Sequence, residues 1–195
     1  VDAEGERTLL TDRAACIALD EPDPSWLDDV ATLHIPLYSL VGEPLASSVT
    51  TLAHWQRARG GRVSVDLSSA AIIEQLGCDA VLAILHDLGA TIVFANELEA
   101  ECMGDLLQPA NLDNALIWVK QGSGPAIVHA PGTAPVEVPA LAVEHVTDTT
   151  GAGDAFAAGV LIALEEGLTA EQATLRGHQL GADAVRLASR TLTAG

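Results

Sequence analysis

The sequence predicts an α/β fold in which a mainly parallel sheet is covered by helices on both faces. Short apolar segments with little polar alternation, such as 91–95 (TIVFA), recur along the chain, and helical segments separate them. Apolar strands that alternate with helices are typical of parallel sheets buried on both sides. With 195 residues, 49% of them hydrophobic, the chain can also form a substantial core.

Local signals define the elements of the first part of the chain. Pro24 suits the first turn of a helix. The apolar residues of 43–59 recur at helical spacing before the stop signal Gly60–Gly61. Segment 62–67 (RVSVDL) alternates as a strand does, and Ser68–Ser69 is predicted to cap the next helix. In order, the predicted elements are strands 7–11 and 14–19, a short helix from 24, strand 32–37, helix 43–59 and strand 62–67.

The remaining elements follow from glycine and proline punctuation. Gly77 separates two helical stretches, and the loop QGSGP separates two apolar strands. The proline-spaced segment 131–139 is predicted to be an edge strand and loop. In order, the later elements are strands 91–95, 116–120 and 126–130, the edge segment, and helices 153–166 and 169–187.

Composition and charge exclude several functions. The net charge is −18, and Lys120 is the only lysine, so we expect no nucleic-acid partner. No apolar run reaches the length of about 18 residues that a membrane span requires. The three cysteines are scattered and lack CxxC spacing, which indicates reduced thiols and a cytoplasmic location. Any bound polyanion must be held by backbone N–H groups, a metal ion or a few local cations.

The loop 148–154 (DTTGAGD) has the features of an anion site. Its two glycines allow a tight turn, and the helix that follows adds unsatisfied N–H groups and a positive dipole end. Asp154 would lie where the anion binds, which suits an acid that takes a proton from an attacking hydroxyl. The same residues also fit a helix that Thr149 or Thr150 caps, with Asp154 stabilising its first turn.

A second polar segment, NELE, follows the strand 91–95. Asn96 and Glu99 lie three residues apart on one face of a helical turn, where they can hold a magnesium ion through its waters. A helix cap by Asn96 with Glu99 at the third helical position explains the pattern equally.

A third polar segment, KQGSG, follows the strand 116–120. A glycine turn beside one cation, Lys120, can lie along the phosphates of a nucleotide. A hairpin turn explains the same residues.

Other nucleotide-binding and hydrolase motifs are absent. In a GxGxxG fingerprint that starts at Gly151, the third glycine would fall on Phe156. A Walker-type GxxxxGK[ST] does not occur, because the only lysine is Lys120, and there is no GxSxG. The dehydrogenase, P-loop and serine hydrolase interpretations therefore fail.

Four segments together resemble the ribokinase-like (PfkB-type) carbohydrate kinase family. They are GERTLL, NELE, VKQGSGPAIV and DTTGAGDAFAAG, in the order that the family has them. The resemblance implies a three-layer ribokinase-like fold that forms a single domain over residues 1–195. It also implies that the family's N-terminal part and most of its lid are missing, with 1–19 adjoining the lid.

The resemblance further implies ATP-dependent phosphorylation of a hydroxyl of a sugar or related polyol. ATP and Mg²⁺ are the implied cofactors, and a small sugar or nucleoside-like molecule is the implied partner. The resemblance also allows a homodimer of the full-length protein, because the lid commonly makes the dimer contact in the family. The implied catalytic base is Asp154, and the backbone of Gly151, Ala152 and Gly153 is the implied anion hole. Asn96 and Glu99 are implied to position the phosphates and Mg²⁺ (Glu99 through water), and Lys120 and Gly122 are implied to contact ATP. The resemblance assigns Glu6 to the sugar and Asp148 to a monovalent cation such as K⁺.

Three departures from the family pattern limit these expectations. The glycine-rich sugar-binding motif is absent. Pro125 stands where the family has glycine, which predicts a reshaped ATP loop, and the C-terminal SRTLTAG does not match the segment that completes the cation site. The alternative is a catalytically inactive nucleotide-binding remnant, or an interaction protein, of the same fold.

Overall fold

The computed structural model describes residues 17–144 and 146–193. The predicted strand 7–11 and Glu6 lie outside the described residues, as does the first half of the predicted strand 14–19. Residues 17–19, the described part of that segment, form a turn and irregular backbone and not a strand. The other predicted elements all fall within the described residues.

A mainly parallel sheet forms the centre of the fold, as predicted. Its strands lie side by side in the order of the sequence. They are β1 Thr32–Pro36, β2 Arg62–Asp66, β3 Ile92–Asn96, β4 Leu116–Lys120, β5 Ala126–His129 and β6 Val136–Val138. Strands β1 to β4 are parallel, whereas β5 and β6 are antiparallel. The predicted edge strand within 131–139 is thus present as β6.

Helices connect and cover the strands. They are α1 Leu45–Ala58, α2 Ala70–Leu76, α3 Cys78–Leu88, α4 Glu97–Met103, α5 Ala152–Glu165 and α6 Ala170–Thr193. Short 3₁₀ helices span Pro24–Leu27, Leu37–Leu40, Gly104–Leu106 and Pro109–Asn111. Ser69 precedes α2 but makes no capping hydrogen bond with its side chain, so the predicted serine cap is wrong in detail. Across residues 17–144 and 146–193, every helix is too short or too polar to cross a bilayer.

The sheet has an apolar layer on each face. Because side chains alternate along a strand, Val63, Val65 and Val93 point to one face, where they pack against α1 to α4. Phe94 and Trp118 point to the other face and pack against Phe156 and its neighbours on α5. The three-layer arrangement predicted for the fold is therefore present.

Helices α5 and α6 pack closely against each other. A Cβ atom on Gly159 of α5 would lie 2.8 Å from the backbone oxygen of Arg176 on α6, so only glycine fits at that contact. Trp118 of β4 donates its indole N–H to the hydroxyl oxygen of Thr174 on α6 over 2.8 Å, and both side chains are fully buried. These contacts fix α5 relative to the sheet.

Candidate active site

Polar side chains end three neighbouring parallel strands. Asp66 ends β2, Asn96 ends β3 and Lys120 ends β4, with Asn96 directly opposite Lys120 in the sheet. Because the strands are parallel, these residues lie at one edge of the sheet. Ligands of open α/β sheets bind beyond this edge, which makes it the candidate site.

The turn before α5 presents backbone N–H groups. Gly151 precedes the helix with φ of 77°, a left-handed conformation that glycine adopts without steric cost. Among the described residues, no protein acceptor is found for the N–H groups of Gly151, Gly153 and Asp154. The N–H of Ala152, which the sequence also assigned to the anion hole, donates instead to the carbonyl of Thr149 over 3.1 Å. The open amides of this turn are therefore those of Gly151, Gly153 and Asp154, and the amide of Ala152 is not among them.

The loop that leads into this turn is held by a side chain of its own and by one from helix α6. Asp148 Oδ1 accepts hydrogen bonds from the backbone N–H and the hydroxyl of Thr150, at 2.8 and 2.6 Å. Ser189 of α6 accepts from the N–H groups of Thr147 and Asp148. Neither threonine caps α5 with its side chain, so the alternative explanation by a threonine cap does not hold. The Asp148 carboxylate orders the loop.

Asp154 lies in the first turn of α5, and its side chain is exposed. A carboxylate at a helix N-terminus is stabilised by the helix dipole. Its exposure leaves it accessible to a bound molecule at the sheet edge. The geometry therefore allows both the catalytic interpretation of Asp154 and the structural one.

Lys120 brings the one lysine of the chain to this place. Its Nζ lies 2.5 Å from Asp66 Oδ2 and 5.9 Å from the centre of the Phe94 ring. A Cβ atom on Gly153, at the start of α5, would lie 3.5 Å from the same Nζ. The ammonium group is thus between the sheet edge and the open amides of α5. An anion bound there would meet both.

Asn96 and Glu99 form a capping box at the start of α4. Asn96 Oδ1 accepts from the N–H of Glu99 at 2.9 Å, and Glu99 Oε2 accepts from the N–H of Asn96 at 2.8 Å. The Asn96 side-chain amide also donates to Glu99 Oε1 at 2.7 Å. Burial raises the pKa of Glu99, against the hydrogen bond from Asn96 that lowers it. Both carboxylate oxygens therefore serve to position Asn96, whose side chain faces solvent.

His34 of β1 adds an imidazole to the same side of the sheet. Its Nδ1 lies 3.0 Å from the hydroxyl of Ser64, and its ring packs edge-on against Phe94. Burial lowers the pKa of His34, while the nearby carboxylates of Asp66 and Asp154 oppose that shift. Burial therefore disfavours the protonated form of this imidazole.

The β4–β5 loop forms a tight turn beyond Lys120. Gly122 has φ of 58°, and the N–H of Gly124 donates to the carbonyl of Gln121 over 2.8 Å. Strands β4 and β5 pair antiparallel, so the segment is a hairpin, which the sequence left as one of two explanations. The hairpin keeps Gly122 exposed next to the sheet edge.

The structure brings together most of the residues that the sequence singled out: Asn96, Glu99, Lys120, Gly151, Gly153 and Asp154 all lie at the carboxyl edge of the sheet. Glu6 lies outside the described residues. Sequence reasoning missed Asp66 and His34. Asp66 ends a strand just as Asn96 does, which was an available signal, whereas His34 lies inside its strand and gave none.

The sequence matches a known protein family. The model of "pfkB family carbohydrate kinase" matches residues 1–192. The 2-dehydro-3-deoxygluconokinase of Dickeya dadantii is 29% identical over 91% of this chain and 63% of its own length. The chain thus spans less than two thirds of the length of this relative.

Solved structures give the same assignment of fold. Adenosine kinase from Sinorhizobium meliloti superposes with a TM-score of 0.77 at 22% identity, covering 93% of this chain and 60% of that one. A putative ribokinase II from E. coli, solved in complex with ATP and Mg²⁺, gives 0.71 at 25% identity, covering 84% and 55%. With the family match over residues 1–192, the chain belongs to the pfkB family of carbohydrate kinases.

Proposed function

We propose that the protein transfers the γ-phosphoryl group of ATP to a hydroxyl of a sugar or related polyol, with Asp154 as the general base. The observation that carries the proposal is the exposed Asp154 carboxylate in the turn that also offers open amides, with the Lys120 ammonium beside it. Membership of a carbohydrate kinase family supports the same reaction. The need for ATP supports a cytoplasmic location.

The electrostatics of the site suit a highly charged nucleotide despite the acidic protein. A net charge of −18 repels ATP at long range, so binding depends on local groups. The amides of Gly151 and Gly153 and the Lys120 ammonium supply such groups at the start of α5. Helix N-termini bind phosphate through their unsatisfied N–H groups and dipole. The positive groups thus converge on a single place.

The reaction requires little covalent participation by the protein. Asp154 accepts the proton of the acceptor hydroxyl while that oxygen forms its bond to the γ-phosphorus, and the bond from phosphorus to the bridging oxygen breaks to release ADP. The amides of Gly151 and Gly153 and the Lys120 ammonium stabilise the charge on the transferring group. Positioning and electrostatic stabilisation therefore supply the catalysis.

Magnesium fits this site as an ion that arrives with the nucleotide. Within residues 17–144 and 146–193 there is no cluster of three His, Cys, Asp or Glu side chains that could hold a metal. Glu99 is 1% exposed, and its carboxylate is hydrogen-bonded to Asn96. We therefore assign Glu99 to positioning Asn96 and not to direct contact with the metal ion. Asn96 and the nucleotide phosphates would hold the hydrated ion, which would neutralise phosphate charge.

The acceptor is a small polyhydroxylated molecule. The first relative acts on 2-dehydro-3-deoxygluconate by its name, and others are named adenosine kinases. The panel of acceptors to be tested therefore contains 2-dehydro-3-deoxygluconate, adenosine, ribose and fructose. The inactive nucleotide-binding protein remains the alternative function. It predicts ATP binding without turnover on any acceptor.

The test measures acceptor-dependent ADP release and ATP affinity for the full-length protein. Asp154→Asn is expected to lower turnover by about a hundredfold or more, the scale of a lost general base. Its ATP dissociation constant is expected to stay within about threefold, because the open amides and Lys120 remain.

Asp79→Asn is the matched control, because Asp79 also lies exposed in the first turn of a helix, α3. It is expected to leave turnover unchanged. Equal turnover of Asp154→Asn and the unaltered protein would refute the proposal, and ATP binding without turnover on the whole panel would favour the inactive alternative.

A further inference from the structure

Among the described residues, the carboxylate of Asp66 forms the ion pair with the site lysine, and nothing in the proposed reaction uses that carboxylate. The two side chains are 11% and 16% exposed, so solvent screens their attraction less than at the surface. Lys120 Nζ has three hydrogens, and Asp66 Oδ2 accepts one of them at 2.5 Å. The ammonium therefore keeps donors for a second acceptor.

Asp66 is itself held rigidly. Its Oδ1 accepts the backbone N–H of Ser68 at 2.9 Å, and the Ser68 hydroxyl donates back to the carbonyl of Asp66 at 2.8 Å. The N–H of Leu67 continues the sheet by donating to the carbonyl of Phe94. One carboxylate oxygen is thus fixed by the backbone, and the other faces the lysine.

The other contacts of Lys120 restrict it less. The face of Phe94 lies 5.9 Å from Nζ, and the backbone of Gly153 leaves the space in which the ammonium lies. A lysine has four rotatable side-chain bonds, so ordering its ammonium group costs side-chain conformational entropy. Across residues 17–144 and 146–193, the ion pair with Asp66 is the contact that holds the ammonium in one direction.

We propose that Asp66 is a positioning residue that holds the Lys120 ammonium beside the turn at Gly151–Gly153, where it binds a phosphate of the nucleotide. This inference rests on the proposed function, since it assigns Lys120 to the phosphates of ATP. Removing the negative charge of Asp66 then weakens the binding of a polyanion, because the ammonium is no longer held in place. If Asp66 merely competed with phosphate for the ammonium, the same change would strengthen binding.

A double-mutant cycle on ATP affinity tests the inference. Asp66→Asn is expected to weaken ATP binding by about tenfold, the scale of a lost hydrogen bond to a charged group. In a Lys120→Met background, Asp66→Asn is expected to leave ATP affinity unchanged or to improve it, because the carboxylate is then an unpaired charge near the phosphates. A purely structural role would weaken binding equally in both backgrounds, which would overturn the inference.

Two further arms separate position from fold and from metal binding. Asp66→Glu keeps the charge but lengthens the side chain by one methylene. It is expected to weaken ATP binding while the thermal unfolding midpoint stays near that of the unaltered protein. Unchanged affinity would overturn the inference. The effect of Asp66→Asn is expected to persist with metal-free ATP in EDTA. Its disappearance there would assign Asp66 to the metal and overturn the inference.

Glu165→Gln is the matched ion-pair control. Glu165 pairs with Arg62 at the opposite, amino end of the sheet, and the change is expected to leave ATP affinity unaltered. Failure of the unaltered protein to bind ATP would refute the proposed function itself. Normal ATP binding that Asp66→Asn does not weaken would refute only the role of Asp66.

Discussion

Trp118 and Thr174 connect the sheet to helix α6 through one fully buried hydrogen bond, from the indole N–H to the threonine hydroxyl oxygen. The hydroxyl gives its own hydrogen to the carbonyl of Ala170. Thr174→Val keeps the shape but leaves the buried indole N–H without an acceptor. We expect it to lower the free energy of unfolding by about 1–3 kcal/mol in urea titrations.

Thr174→Ser serves as the control for this hydrogen bond. Serine keeps the hydroxyl and removes only a methyl group, so the loss should be smaller than for valine. Equal destabilisation by the two changes would show that packing, and not the hydrogen bond, determines the contribution of Thr174.

The conformation of Gly151 gives a prediction that separates stability from activity. Gly151 and Gly167 both have left-handed backbones, with φ of 77° and 80°, and open space where a Cβ atom would lie. Alanine at either position should cost about 1–2 kcal/mol of stability through backbone strain. Only Gly151→Ala is expected to weaken ATP binding, because Gly167 follows the far end of α5. Equal ATP affinities of the two variants would contradict the anion-hole assignment.

The contact between α5 and α6 predicts a packing effect away from the site. Gly159→Ala would place a Cβ atom 2.8 Å from the backbone oxygen of Arg176, which cannot move without shifting α6. We expect a loss of about 1–3 kcal/mol in the free energy of unfolding, typical of overpacking. Ala158→Ser, an exposed change on the same helix, is expected to have a much smaller effect. Similar losses for both variants would rule out the close contact.

Three histidines predict how stability depends on pH. Burial lowers the pKa of His34, His129 and His178, and for His178 a hydrogen bond to the carbonyl of Val138 opposes the shift. The unfolded chain therefore takes up protons below about pH 6.5 that the folded protein does not. Stability should fall as the pH decreases from 7 to 5.

Urea titrations across this range check the pH prediction. His178→Gln removes one of the three groups, so its loss of stability between pH 7 and 5 should be smaller than that of the unaltered protein. An unchanged pH dependence would mean that His178 does not contribute through protonation.

The sequence predicted the fold well because its signals were local. The unbroken run TIVFA, the stop at Gly60–Gly61 and the break at Gly77 each fixed an element within a few residues. Helix α6 extends to Thr193 and not to 187, since no glycine or proline after Leu187 ends it earlier. End points of this kind depend on packing as well as on local signals.

The site was predictable only in part, because its electrostatics depend on contacts across the sheet. DTTGAGD and NELE are short contiguous segments whose residue spacing is visible in the sequence, so Asp154 and Asn96 could be identified as candidates from the sequence alone. Asp66 and Lys120 are 54 residues apart, and their pairing depends on how β2, β3 and β4 align. The engagement of Ala152 with Thr149 is a detail of turn geometry that glycine spacing does not specify.

Because Lys120 is the only lysine in this sequence, chemical labelling of lysine can be used to follow the candidate site. These 195 residues contain one side-chain amine, so an acylating reagent modifies a single side chain in peptides from this part of the protein. That amine is largely enclosed between a carboxylate, an aromatic face and the start of α5. Its rate of modification, followed by mass spectrometry, would report directly on whether a nucleotide occupies the cleft.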